Sequence, residues 1–166
     1  MKKSAAIAII FNAEKNAIVL TKRRDVPVWV FPGGGIDDGE MPEVAAVREA
    51  LEETGLVVKI IRQVAKYSPI NRLTSPTYTY ACSVMKGEIA VSAETKEVRW
   101  FSLNNLPQMF FYVHHEWLVD ALKDEPNLII KKIDSVTYWK VFTYFLKHPT
   151  HVVRMLLSRL GIPMNS

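Results

Sequence analysis

Cysteine is nearly missing from this chain: Cys82 stands alone, so no intramolecular disulfide can form and a reducing setting is expected. Nor is there a group of Cys and His at zinc spacing, which argues against a structural zinc. No apolar run approaches the length of a membrane-spanning helix. Met1-Lys2-Lys3 ahead of apolar residues 5–11 looks a little like a leader. That run is short, however, and passes into Asn12-Ala13-Glu14-Lys15-Asn16 with no convincing cleavage site. It reads as a first strand, and the expected location is cytoplasmic. Internal repeats and low-complexity segments are absent too. What remains is 166 residues, 49% of them hydrophobic, enough for one globular domain with a full core.

The charge is uneven. A net charge of +4 hides 15 Lys/Arg against 16 Asp/Glu in residues 1–126, and 6 against 1 in residues 127–166. All of the excess positive charge therefore lies in the tail. The expected organisation is a domain over residues 1–126 followed by a basic amphipathic helical extension over residues 127–166.

Turn residues 12–16 between two apolar runs predict a hairpin, with its second strand at residues 17–21 ending in Lys22, Arg23 and Arg24. Residues 26–31 read as a short strand with Trp29 and Phe31 on one side, broken by Pro32 and the glycines Gly33, Gly34 and Gly35. Further strands are expected at residues 56–64, 77–85 and 98–103, with residues 88–91 pairing back after a turn at Lys86-Gly87. Residues 67–76 read as a loop. A helix after Pro107 has a stripe of Phe111, His114, His115, Leu118, Val119 and Leu122. Adjacent positions on a helix diverge, so one of His114 and His115 belongs to the core and the other to the surface. Strands on both sides of one central helix, with a second helix late, predict an α+β fold of the α/β/α sandwich kind.

The central helix carries the chemistry. Pro42 suits a first helical position and Gly55 a C-terminal cap, with Glu43 in the first turn where the helix dipole favours it. Glu49, Glu52 and Glu53 share one face, and Val44, Val47 and Leu51 fall roughly opposite as a buried stripe. Like charges at this spacing repel unless a cation sits among them, and hard divalent ions prefer carboxylate and carbonyl oxygens. A plain solvated acidic face is the competing reading.

Residues 34–56 resemble the signature of the Nudix hydrolase superfamily, G-x5-E-x7-R-E-U-x-E-E-x-G-U with U aliphatic. Gly34, Glu40, Arg48, Glu49, Glu52, Glu53, Gly55 and Leu56 occupy its fixed and terminal positions, with Ala50 as a small U. The resemblance implies a Nudix-type α/β/α sandwich with a mixed sheet, extending to about residue 125. It implies hydrolysis of the pyrophosphate of a nucleoside diphosphate linked to another moiety X, with Mg²⁺ or Mn²⁺ as cofactor. Glu49, Glu52 and Glu53 would bind the metal, with the Gly33 carbonyl as an extra ligand. Gly34, Glu40, Arg48 and Gly55 would be structural, Arg48 as partner of Glu40 or Glu52. The base varies in this family between the box, here Glu49, and a later loop, where Glu94 and Glu97 stand and Glu97 is preferred. Arg23, Arg24 and Arg72 are candidates for substrate phosphates or base, and Trp29 or Tyr67 for stacking.

The implied partner is a nucleotide-type small molecule; nucleic acid enters only as a 5′-phosphorylated end. The competing class is a Nudix-fold binding module without catalysis, against which the intact glutamates count. In the tail, Tyr138, Trp139, Val141, Phe142, Phe145 and Leu146 share a helical face, and Thr150 starts a second helix with Val152, Val153, Leu156, Leu157 and Leu160. Packing on the domain or in a homo-oligomer is expected, with contact to an anionic membrane surface as the alternative.

Overall fold

A computed structural model describes residues 3–150 except 94, 124, 126 and 148. Of the second helix expected from Thr150, residues 151–160 lie outside them. Among the described residues eight strands, β1 (Ala5–Phe11), β2 (Ala17–Arg23), β3 (Trp29–Val30), β4 (Gly33–Gly35), β5 (Val57–Pro69), β6 (Thr77–Lys86), β7 (Thr95–Ser102) and β8 (Ile129–Ile133), form one mixed sheet in the order β3-β2-β1-β6-β5-β8, with β4 added to β1 and β7 to β2. At its centre is β1 (Ala5–Phe11), antiparallel to β4 (Gly33–Gly35) and parallel along its whole length to β6 (Thr77–Lys86). β2 (Ala17–Arg23) leaves the hairpin to pair with β3 (Trp29–Val30) and β7 (Thr95–Ser102). The hairpin closes on Asn12, whose Oδ1 accepts the N–H groups of Asn16 and Ala17 at 2.9 Å each.

β1 is buried on both faces, and its alternation divides the core. Ile7, Ile9 and Phe11 meet Ile18, Leu20, Trp29 and Phe31 on one side, under α2 (Tyr112–Leu122). Ala6, Ala8 and Ile10 meet Ala45, Ala46 and Ala50 of α1 (Pro42–Thr54) on the other. Helix, sheet and helix are the three layers expected.

Several elements differ from the sequence reading. Residues 26–31 keep only Trp29–Val30 as strand, because the chain turns at Pro27, where the Val28 N–H reaches the Val26 carbonyl at 2.7 Å. The glycines, read as a break, are themselves strand: without side chains they lie flat along Ala5, Ala6 and Ile7. β5 (Val57–Pro69) runs on past the predicted end, and three register shifts against β6 carry its side chains from one core to the other. Residues 88–91 form no strand; the Ala90 N–H instead reaches the Thr54 carbonyl at the end of α1.

The stripes of both helices also shift. In α1, Val44 and Leu51 are exposed and the buried residues are Ala45, Ala46, Ala50 and Thr54. In α2, His114, Trp117, Leu118, Asp120 and Ala121 are buried, while His115, Val119 and Leu122 are exposed. His114 accepts the Phe31 N–H on Nδ1 at 2.9 Å, and burial holds its pKa down to about 3, so it is a neutral core residue.

Beyond α2, β8 (Ile129–Ile133) pairs parallel with Ala65–Pro69 of β5, so the sheet continues into the residues assigned to a helical extension. It is locked there by Asp120, whose carboxylate accepts the Tyr67 hydroxyl at 2.9 Å, Lys131 at 2.7 Å and Lys123 at 2.8 Å. Burial alone would raise the Asp120 pKa, but these donors outweigh it and the carboxyl stays below its ordinary range. The cluster borders a cavity of about 470 Å³ between α2 and β8. α3 (Tyr138–Lys147) follows, with Val141 packed on the α2-side core.

Candidate active site

The buried face of α1 is not simply apolar. At helical spacing Glu49 and Glu53 fall among Ala45, Ala46 and Ala50, whereas Glu52 lies off to the side. The Glu49 side chain is 12% exposed and that of Glu52 58%. Residues expected as one acidic front are therefore split, two facing the sheet and one facing solvent. What the buried pair meets is β4. Glu53 Oε2 accepts the Gly33 N–H at 3.1 Å. Glu49 lies so close to Gly34 that a Cβ there would come within 2.6 Å of its carboxylate. Glycine is needed at that position for space, and a bare strand lets both carboxylates close on the backbone.

Arg48 organises the rest. Its Nε and Nη2 hold the two oxygens of Glu40 at 2.9 Å each, Nη2 also reaches the Gly35 carbonyl at 3.0 Å, and Nη1 bridges Glu49 at 2.8 Å and Glu52 at 3.1 Å. Glu40 in turn accepts the Asp37 N–H at 2.9 Å. Arg48 holds the Glu40 pKa down to about 2, and the carboxylates push that of Arg48 up. One guanidinium thus ties the acidic turn, the glycine strand and the helix together. The helix ends at Gly55, in the left-handed region at φ 76°, with its N–H on the Leu51 carbonyl at 2.9 Å.

Among the described residues no three Asp, Glu, His or Cys side chains converge closely enough to hold a metal. The reason is visible: Arg48 occupies the space between Glu49 and Glu52. The donor set nonetheless fits a hard divalent ion, being all oxygen, with two like charges drawn together on one helix face against a bare backbone.

Glu53 also lines a cavity of about 230 Å³ with Arg23, Arg24, Asp25 and Thr95. Arg23 is gripped by both oxygens of Asp25 at 2.8 and 2.6 Å. Burial works to raise the Asp25 pKa, but Arg23 outweighs it and the carboxyl titrates below its ordinary range. Arg24 reaches the Ser92 carbonyl at 3.1 Å, and Thr95 Oγ1 reaches the Glu53 carbonyl at 3.3 Å, so the loop before β7 is fastened to the end of α1. Asp25, Ser92 and Thr95 were missed by the sequence reading, since nothing local marks them; only the register of β2 against β7 brings them there.

The other candidates lie elsewhere. Glu97 alternates with Val98, which faces α1, and so projects on the α2 side with Phe101. There it pairs with Lys22 at 2.7 Å and with Arg99. Trp29 is buried edge-on against Phe101, its ring covered by Lys22 and Arg99. Tyr67 is buried on Asp120. Arg72 is exposed in the loop between β5 and β6, and Glu94 is outside the described residues. Cys82 is buried, which pushes its thiol up to about 12.

A three-layer sandwich that sets helix carboxylates against a glycine strand fits a hydrolase of phosphoric anhydrides. The chain belongs to the Nudix family: the model of the NUDIX domain matches residues 1–121. A relative from Bacillus subtilis, named as a candidate 8-oxo-dGTP diphosphatase, is 37% identical over 108 residues, 64% of this chain and 71% of its own length. An ADP-ribose pyrophosphatase from Methanocaldococcus jannaschii is 36% identical over 121 residues, 69% of this chain and 70% of its own. Among solved structures, an ADP-ribose pyrophosphatase from Streptococcus suis superposes with a TM-score of 0.64 at 25% identity, covering 80% of this chain and 99% of the other. No helix among the described residues is long and apolar enough to cross a membrane.

Proposed function

We propose that this protein hydrolyses the pyrophosphate bond of a nucleoside diphosphate joined to a second group, with Mg²⁺ or Mn²⁺ at the α1 carboxylates. The observation that carries the reading is the position of Glu53. It is anchored on the Gly33 N–H and lines the same cavity as Arg23 and Arg24. A carboxylate for a cation and two guanidiniums for phosphate oxygens then meet in one recess.

Glu49, Glu52 and Glu53 would hold the metal, with the Gly33 carbonyl beside them. A bound divalent ion supplies Lewis acidity and lowers the pKa of a water. Arg23, held in place by Asp25, and Arg24, tethered to the loop before β7, orient the phosphates. In this reading the attacking water gives its proton to Glu49 on the α1 face. Glu97 keeps Lys22 and Arg99 in place over Trp29 on the other.

The names of the two relatives supply the first substrates to try, ADP-ribose and 8-oxo-dGTP, within a panel of nucleoside diphosphate derivatives and triphosphates. Turnover of one panel member with Mg²⁺, abolished by chelator at an unchanged melting temperature, is the expected result. No turnover across the panel with either metal would overturn the reading in favour of a binding module.

A further inference from the structure

β7 joins β2 through a bulge. Val98 stands opposite Thr21 and Glu97 opposite Lys22, but the next pair is Thr95 with Arg23, so Lys96 is the extra residue. Regular alternation would have placed these two differently. Val98 faces α1 and Glu97 the α2 side, so Lys96 would face α1 opposite Arg23, cation against cation, and Thr95 would turn away. With the bulge, Lys96 is exposed, and Thr95 is buried in the recess that Glu53, Arg23 and Arg24 line. Re-aiming a side chain beside a site is a common use of a bulge.

The Thr95 hydroxyl is the junction of that recess. Its Oγ1 accepts the Ser92 N–H at 2.9 Å and donates to the Glu53 carbonyl at 3.3 Å. Ser92 Oγ accepts the Thr95 N–H at 3.3 Å in return, and the Ser92 carbonyl accepts Arg24 Nη2 at 3.1 Å. Two successive hydrogen bonds thus lead from Thr95 to Arg24, one leads to the backbone of Glu53, and Arg23 is its neighbour across the strands. We propose, resting on the hydrolase reading above, that Thr95 is the positioning residue of this recess. It fixes the separation between the end of α1, with a carboxylate assigned to the metal, and the arginines assigned to the phosphates. A misplacement of about 1 Å among such groups can cost about 100-fold.

The test joins steady-state kinetics in Mg²⁺ with calorimetric titration of α,β-methylene-ADP in Mg²⁺, which needs no turnover. Thr95→Val keeps the shape and removes the hydroxyl. It should raise KM and the Kd of the analogue about tenfold and leave kcat within about threefold, as for lost ground-state placement. Thr95→Ser, which keeps the hydroxyl, should restore both to within about twofold of wild type. Should Thr95→Val fail to fold, Ser92→Ala carries the test, with both constants raised about threefold. Wild-type constants in the variant that folds, or equal losses in Thr95→Val and Thr95→Ser, would overturn the positioning role and leave the hydrolase reading standing. Analogue binding weakened by Thr95→Val, in a wild type that turns over no panel member, would keep the role and overturn hydrolysis. A wild type that neither turns over the panel nor binds the analogue overturns both.

Discussion

Arg48 holds Glu40 by both carboxylate oxygens, at 2.9 Å each, across the turn that leads into α1. The pair joins the acidic turn to the helix and sets the position of Glu49 through a third contact. Arg48→Ala should lower pyrophosphate hydrolysis about 10- to 100-fold, the usual effect of removing a group that orients metal ligands. Acid should act on the same pair. Glu40 has a folded pKa lowered from 4.5 to about 2. Its stabilisation is therefore complete above about pH 4.5 and is lost as the pH falls towards 2. An NMR titration of the Glu40 carboxyl checks this; a midpoint near 4.5 would refute it.

Gly34→Ala should spare the fold and damage the site. The added Cβ collides with the mobile end of Glu49, which can swing away, so the melting temperature should move little. Turnover should fall about tenfold or more, because a displaced carboxylate no longer faces β4. Thermal melts and steady-state kinetics on the same sample separate the two effects.

Glu52→Gln and Glu53→Gln should each reduce hydrolysis at least about 100-fold with circular dichroism unchanged. Near-normal turnover of either in Mg²⁺ would remove that residue from the metal site.

Glu97 and Glu49 are told apart by their faces of the sheet. Glu97→Gln should change turnover by less than about threefold, since partly exposed ion pairs contribute little. Glu49→Gln should lose most activity and the acidic limb of the pH–rate profile. The opposite pattern would return the base to β7.

Asp120→Ala should cost about 2 kcal/mol of stability, measured by urea unfolding, because the Tyr67 hydroxyl is left buried and β8 loses its clamp. The cost stays moderate because Lys123 and Lys131 keep contact with water. Hydrolysis at saturating substrate should be unchanged.

The fold class and the box were legible because both rest on local pattern. Pro42, Gly55 and the glutamate spacing mark α1 without help from the rest of the chain, and β1 follows from its apolar run alone. The face that α1 buries was not legible. Val44 and Leu51 are the more hydrophobic residues, yet the sheet beneath offers Ala6 and Ala8, and only alanines fit so close an approach. The glycine strand and β8 were hidden for a related reason. A strand is recognised by its side chains, and Gly33–Gly35 has none, while Ile129–Ile133 holds two lysines and sits where the charge count points to a tail. The recess formed by Arg23, Asp25, Glu53 and Thr95 depends on pairing across about 70 residues, which no local window contains.

The alanine bed under α1 bears on how such a chain can change. Ala6, Ala8, Ala45, Ala46 and Ala50 have no exposure at all, and they set the height at which the helix rides. Glu49 and Glu53 project from the same side, so that height is also the reach of the two carboxylates proposed to hold the metal. A single added methyl in this layer would lift both carboxylates off β4 at once. The residues proposed to meet the substrate, Arg24 and the loop before β7, lie outside this alanine layer. New specificities can therefore be tried at the rim, by way of Arg24 or the loop before β7, while the floor stays fixed.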